Sequence, residues 1–399
     1  MYINSSKFKR MFDLKGVKNL SSFFIVKFDK KTIKIIFNYF KYDMEMKTIK
    51  FPSEIKGTYT IEAKEIKTFM KKLKKKDDIS LTIKDDLLVL NYSNFTLNCG
   101  KLKGKTDYFK VSKEQSHKFK IKSSNIIKEL KKMTYFASSD VDREKLNNIY
   151  YDKGSLIATD SFIMALLKDV TKKDDNDFMF SSTLAKKLTS ILSKSKKEVI
   201  ISVKKRLSNS KETKLNLRKQ YNEVIISFKY DGISYSFITR TETTFIDYNH
   251  IITDGNFKLS ISTESIKSSL KKLTNDLDIS GEKDHLDGVL VFLLTFKDDN
   301  LKIGISNTTI KENECKLSFI KKDKSEDELN LSIGLSYRYL RNVIDFIETD
   351  SFELEFNYYC GEITSAFQIN SDNSTYLLMP WDLDWWLGEK SPFLHGSIL

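Results

Sequence analysis

The sequence predicts an α+β fold made of three repeats of one unit, in which two helices pack on antiparallel sheets. Two alignments of the chain with itself predict it. Residues 119–133 lie without gaps on residues 259–273, so that Ile121 meets Ile261, Ile126 meets Ile266, Leu130 meets Leu270, and Lys131-Lys132 meets Lys271-Lys272. Residues 58–73, 177–192 and 332–347 form a second recurring stretch. Aligning Ile61, Phe180 and Leu335 stacks Ile66 with Ala185 and Leu340, Phe69 with Leu188 and Val343, and Leu73 with Leu192 and Ile347.

Each copy reads as a strand, a helix, and further strands. Residues 1–14 are a short first example. In the second copy, apolar residues at 126, 130 and 133 recur at helical spacing, and the Ser residues before them can cap the helix's free amides. After the second helix of each copy come strand pairs: 79–92 in copy one, 199–203 with 224–239 in copy two, and 352–378 in copy three. Between the helices of the middle copy, residues 155–167 read as a tight, half-buried hairpin, two apolar strands joined by Thr159-Asp160-Ser161. Asp and Ser hydrogen-bond the backbone of such turns. The interval from Phe180 to Leu335 exceeds that from Ile61 to Phe180, and the surplus falls in residues 204–222, a polar, basic insertion between strands. Domain boundaries are expected near Ser116 and Gly255, giving domains 1–116, 117–254 and 255–383 and an extension, 384–399.

Composition bounds the partners. The 399 residues carry 67 Lys and Arg against 54 Asp and Glu, a net charge of +13, which suits an anionic partner. With 28 Phe and 18 Tyr but only 3 Pro, long disordered linkers are not expected. Cys99, Cys315 and Cys360 are odd in number and widely spaced, so neither a disulfide framework nor a metal motif is expected. The start of the chain lacks an apolar signal core and no run reaches membrane-spanning length, so a soluble, cytoplasmic protein is expected.

The helices place cations at equivalent positions opposite their apolar stripes. Lys67, Lys186 and Arg341 share one position; Lys64, Thr183 and Arg338 share another, and Lys71, Lys128, Lys131, Arg143, Lys267 and Lys271 extend the set. If pseudo-symmetry brings such helices to one side, they make a track for phosphates that reads no bases. The residues of an enzyme are not found. His117, His250, His285 and His395 have no ligand spacing, and there is no phosphate-cradling glycine loop, nucleophile elbow or repeated carboxylate pair. A non-enzyme without cofactor or metal is expected.

Four motifs in order carry a resemblance. Ala158-Thr159-Asp160-Ser161, Asp142-Arg143-Glu144-Lys145-Leu146-Asn147, Phe245-Ile246-Asp247-Tyr248 (echoed by Asp107-Tyr108-Phe109) and Tyr376-Leu377-Leu378-Met379-Pro380 resemble segments of the bacterial DNA polymerase sliding clamps, over about residues 1–383. The resemblance implies a head-to-tail homodimeric ring of six like domains, with helices lining a channel around duplex DNA. It implies a processivity factor that tethers the replicative polymerase, is placed on DNA by a separate clamp loader, and works in the cytoplasm of a bacterium or a phage-infected host. A clamp-like scaffold for transcription or repair machinery is the alternative.

The resemblance also implies a partner-peptide pocket of Leu146, Thr159, Ser161, Phe162, Ile163, Met164, Ile246, Ile251, Ala366, Leu377, Met379, Pro380 and Trp381. Phe162-Ile163-Met164 stand where the family has His-Arg-Leu, and Ile246 where it has Pro, so the pocket should be more apolar. Phe95 and Leu97 of one chain are expected to meet Leu270, Leu273 and Leu277 of the other. Residues 384–399, beyond the family's usual end, hold Trp385, Trp386, Leu387, Phe393 and Leu394 and are expected to bury against something, the last domain or the pocket.

Overall fold

The computed structural model of the chain describes residues 1–12, 23–38, 44–51, 53–74, 77–102, 117–140, 143, 145–195, 198–211, 218–241, 245–279, 291–297, 300–306, 313–317, 319–321, 331–359, 362–363 and 365–380. Six α-helices lie among them: α1 (Ser5–Met11), α2 (Ala63–Lys72), α3 (Ser123–Met133), α4 (Ser182–Leu192), α5 (Thr263–Ile279) and α6 (Tyr337–Phe346). Each begins on the residue after a strand: Tyr2–Asn4, Gly57–Glu62, His117–Lys122, Asp177–Ser181, Phe257–Ser262 and Leu331–Ser336. The self-alignments thus put the starts of α3 and α5, and those of α2, α4 and α6, in one register. Every apolar position they stack is buried, from Ile66, Ala185 and Leu340 to Leu73, Leu192 and Ile347.

The junctions share a hydrogen bond. The first amide of α1, α3 and α5 donates to a carbonyl just past the second helix of its copy: Ser5 to Asp77, Ser123 to Val199 and Thr263 to Asp350, each at 2.9 Å. A second bond recurs in copies one and three. Lys9 Nζ donates to the Leu73 carbonyl at 2.6 Å and Lys267 Nζ to the Ile347 carbonyl at 2.8 Å, so an ammonium group caps the C-terminus of α2 and of α6. The middle copy has Ile127 at that position. The expected capping serines act differently. Ser123 and Ser124 lie inside the first turn of α3, and Ser123 Oγ accepts the Val199 amide instead. Side-chain caps come from Asn4, Ser181 and Ser262, which accept from Ser6, Leu184 and Ser265.

The chain divides into two compact units, residues 1–131 with 177–244, and residues 132–176 with 245–399. In the first unit twelve strands form one sheet in the order Tyr2–Asn4, Asp78–Lys84, Leu87–Tyr92, Phe95–Lys101, Gly57–Glu62, Phe23–Asp29, Thr32–Asn38, Met44–Lys50, Ile233–Thr241, Arg218–Tyr230, Ile200–Lys211 and His117–Lys122. Copies one and two join where Met44–Lys50 pairs antiparallel with Ile233–Thr241. That seam holds a buried ion pair, Lys47 with Glu45 at 3.4 Å, and Lys47 Nζ also donates to the Met11 carbonyl. The insertion is an extension of two strands: Lys204 through Lys211 pair with Ile225 back to Arg218. Lys, Ser and Asn residues weaken its strand signal, and the ladder supplies the rest.

In the second unit the strand order is Asn148–Asp152, Ser155–Thr159, Ile163–Leu167, Ser374–Leu378, Phe367–Ser371, Ser351–Phe356, Phe257–Ser262 and Phe319–Lys321. A separate four-stranded sheet runs Asn313–Leu317, Asn300–Ser306, Val291–Lys297, Leu331–Ser336. Copies two and three join where Ile163–Leu167 pairs with Ser374–Leu378. Sheet continuity therefore groups half of the middle copy with each neighbour in sequence. Phe136 packs between Phe346 of α6 and Tyr376, with centroids 5.9 and 5.5 Å away.

Replacing Lys9 or Lys267 by Met should each lower stability by about 1–2 kcal/mol, through loss of a charged cap on a helix C-terminus. The two effects should add, because the sites share no partner. Urea denaturation of the single and double variants measures this, and a loss well below the sum would mean the caps are coupled.

Candidate peptide-docking face and basic helix faces

The hairpin Ser155–Thr159 and Ile163–Leu167 is almost wholly buried, more than the half-burial expected, because the sheet continues on both sides of it. Its turn is organised by Asp160. The carboxylate accepts the amides of Phe162 and Ile163, both at 3.0 Å, and the Tyr339 hydroxyl of α6 at 2.5 Å. Thr159 Oγ1 donates to the Ile163 carbonyl and accepts the Ser161 amide. Ser161 sits at φ +84°, a left-handed conformation that glycine adopts at less cost. The turn leaves Phe162 57% exposed, while its carbonyl accepts the Met379 amide at 2.9 Å. Burial and the bond to Asp160 both raise the Tyr339 pKa, so this hydroxyl stays a donor through the ordinary range.

One face of the sheet carries an apolar cluster. Cross-strand pairing places Thr159, Met164, Leu377 and Gln368 in one row, and Tyr150, Ile157 and Leu166 in the next. Ile157, Met164, Leu166 and Leu377 are its buried floor; Tyr150, Phe245, Tyr248, Ile251, Ile252 and Ala366 pack around them half-buried. Tyr150 and Phe245 stack at 4.9 Å, and the Tyr248 hydroxyl donates to Asp152 at 2.7 Å, which ties segment 245–252 to the sheet. The Gln368 side-chain oxygen is buried in the same row with no hydrogen-bond partner among the described residues.

Of the residues expected in the pocket, Met164, Ile251, Ala366 and Leu377 meet in this cluster. Thr159 and Ser161 shape the turn. Phe162, Met379 and Pro380 stand at the end of the face held by the Met379 bond, and Ile246 is half-buried between Phe245 and Asp247. Leu146 is buried just before the first strand of the sheet. Ile163 points away: it pairs with Leu378 on the opposite face from Met164. Trp381 lies outside the described residues. The expected set omitted Tyr150, Ile157, Leu166, Phe245, Tyr248, Ile252 and Gln368. The available signal was the aromatics of Phe245-Ile246-Asp247-Tyr248, because both faces of the hairpin strands are buried and alternation marks neither.

On the helices, Lys64, Lys67, Lys71, Lys128, Lys131, Lys186, Lys271, Arg338 and Arg341 are exposed, as is Arg143, which precedes the Leu146 strand connection. Arg341 lies 3.7 Å from Asp345 one turn on. Lys267, from the same expected set, is half-buried and its ammonium donates to the Ile347 carbonyl. Of the expected dimer contact, Leu97, Leu270 and Leu273 are buried within the chain, whereas Phe95 is 43% exposed on a strand whose residues 95–98 pair on one side only among the described residues. The side chain of Leu277 lies outside the described residues.

Comparison with solved structures places this geometry. The chain superposes on the DNA polymerase III beta subunit of Thermotoga maritima with a TM-score of 0.68 at 17% identity, covering 96% of this chain and 98% of that one. It carries the sliding-clamp fold. The DNA polymerase sliding clamp of Caulobacter crescentus matches with a TM-score of 0.72 at 14% identity, covering 96% and 99%. A DnaN sliding clamp of Bartonella birtlesii, bound to griselimycin, matches with a TM-score of 0.71 at 16% identity, again covering 96% and 99%. No protein-family model and no curated protein sequence matches the chain.

Tyr339→Phe should loosen the turn and cost on the order of 1 kcal/mol, because a half-buried carboxylate loses one of its three donors. The raised pKa gives the sign with pH: the contribution of Tyr339 is fully present below its ordinary value of 10.0 and is lost as pH rises beyond it. Urea stability of wild type and Tyr339→Phe should therefore differ by a constant amount from neutral pH to about pH 10 and converge above it. A difference that persisted unchanged into strong alkali would contradict the assignment.

Proposed function

We propose that this chain is a DNA sliding clamp, a non-enzymatic processivity factor that encircles duplex DNA as a homodimer and tethers the replicative polymerase. The observation that carries this reading is the set of exposed cations at equivalent positions on the second helices of all three copies, Lys67, Lys186 and Arg341, within a fold shared with sliding clamps along nearly the whole chain. Cations spaced by a repeat, rather than clustered at one spot, suit a backbone that repeats its phosphates and offer nothing that reads a base.

Within this reading the repeats are three domains, 1–116, 117–254 and 255–383, and two copies of the chain supply six. Phe95 contributes to the closing contact, and a separate loader places the ring on DNA. The apolar face around Met164 and Leu377 takes a peptide segment of the polymerase. Burial of two or three aromatic or leucine side chains there is enough for a docking contact of ordinary strength. No helix among the described residues is long and apolar enough to cross a membrane.

The test is topological. After loading by the host's own loader, the protein should remain on nicked circular duplex in high salt and be lost when the circle is cut, because a ring slides off an end. Loss from circles and linear DNA at equal rates would overturn the proposal. Replacing Lys67, Lys186 and Arg341 together by Glu should weaken direct DNA association and make its dependence of log K on log salt shallower by roughly 2–3, about 0.9 per phosphate contact. Light scattering should find a dimer, and Phe95→Asp should shift it toward monomer.

A further inference from the structure

We infer that the chain's own residues 381–387 dock on the apolar face around Met164 and Leu377, so that a partner peptide must displace them. This rests on reading that face as a peptide-docking surface. The described chain ends at Pro380, after strand Ser374–Leu378, which supplies Leu377 to the cluster floor. The Met379 amide is bonded to the Phe162 carbonyl, so the chain leaves from the face itself. Beyond Pro380 the sequence continues Trp381-Asp382-Leu383-Asp384-Trp385-Trp386-Leu387.

That sequence suits the surface. Alternation places Trp381, Leu383, Trp385 and Leu387 on one side of an extended segment and Asp382, Asp384 and Trp386 on the other, so one side is wholly apolar and the acidic residues all lie opposite it. Each aromatic carries about 150–250 Å² of apolar surface, and folded proteins seldom leave such a total in water. The cluster offers the complement: half-buried Tyr150, Phe245 and Ile251 over a buried floor, and the unpartnered Gln368 oxygen, an acceptor in want of an N–H donor. An indole or a main-chain amide of the segment would supply it.

Reach is sufficient. The cluster spans the four neighbouring strands 148–152, 155–159, 163–167 and 374–378, three spacings of about 4.8 Å each. Seven extended residues cover roughly 23 Å, more than that width. Tethering a few residues away also holds the segment at an effective concentration in the millimolar range, so modest intrinsic affinity keeps the face covered.

The sequence supplies its own reporter. All 3 tryptophans of the chain, Trp381, Trp385 and Trp386, lie in this segment, so tryptophan fluorescence reports on it alone. The full chain should emit at short wavelength, and Ile251→Asp should shift the emission to the red while far-ultraviolet circular dichroism is unchanged. A synthetic peptide of residues 381–390 should bind the chain truncated after Pro380 at least tenfold more tightly than the full chain, and Gln368→Leu should weaken that binding. If the truncated chain fails to fold, the full chain with Trp385→Ala and Trp386→Ala takes its place.

Emission that ignores Ile251→Asp, or a peptide that binds neither form, would overturn the inference. So would a shift that disappears on dilution through the dimer range, since the segment would then come from the second copy. Immobilised replicative polymerase separates this from failure of the docking reading. Equal capture of full and truncated chains sinks only the self-docking, whereas capture of neither sinks the docking face as well.

Discussion

The fold depends on how a strand turns directly into a helix. A helix start leaves four amides without partners inside the helix, and here that start is buried, with Ser5, Ser123 and Thr263 all shielded from water. The first amide must therefore find a carbonyl. In all three copies it finds one just beyond the second helix, from Asp77, Val199 and Asp350. One bond thereby satisfies a buried donor and fixes the separation of the two helices of a copy. In the outer copies Lys9 and Lys267 tie the other end by capping that second helix. The middle copy does without this tie, and its α4 instead buries most of its residues, Lys187 included.

This constraint explains what could be read from the sequence and what could not. The helices were legible because the junction fixes their register. Ile121 and Ile261, or Ile61, Phe180 and Leu335, stand a constant two residues before a helix start, so apolar spacing aligns without gaps. Connections are under no such constraint. The surplus at 204–222 was visible as a difference in interval, but its form, a continued ladder through Lys211 opposite Arg218, depends on pairing between strands rather than on propensity. The bond of Lys267 to the Ile347 carbonyl was hidden for a related reason. A cation on the polar side of a helix looks solvated in sequence, and only the end of the neighbouring helix reveals its partner. The burial of Leu97, Leu270 and Leu273 within the chain was likewise not foreseen, because the sequence does not tell an internal core from an intermolecular one.

The docking face was half legible. Its turn could be read from Thr159-Asp160-Ser161, whose side chains do what short polar groups do in turns, yet the role of Asp160 as a link to α6 needed Tyr339, far along the chain. The floor residues Ile157 and Leu166 alternate with neighbours that are just as apolar, since both faces of this hairpin are buried. Alternation marks a face only where one side is polar. Met164 and Leu377 were identified through motif resemblance, and their cross-strand pairing then brings in Gln368, a residue that no apolar pattern could single out.

The two surfaces of the proposed clamp face opposite physical demands, and the chain meets them with different elements. A protein that must travel along DNA needs contacts that are numerous, weak and indifferent to sequence. Lysines on exposed helix faces fit, because their ammonium groups stay hydrated and release a phosphate as readily as they take one. A docking site must instead hold a partner through many cycles of movement, which calls for desolvated contacts on a surface that does not yield. The cluster provides that rigidity by lying on a sheet whose turn is pinned at Asp160 and whose last strand is pinned at Met379. Raising the affinity of the helices would slow travel, and polar residues in the cluster would weaken retention. Under the proposed function, the cations of the helix faces and the apolar cluster are therefore separate adaptations, because neither surface can take on the character of the other without loss.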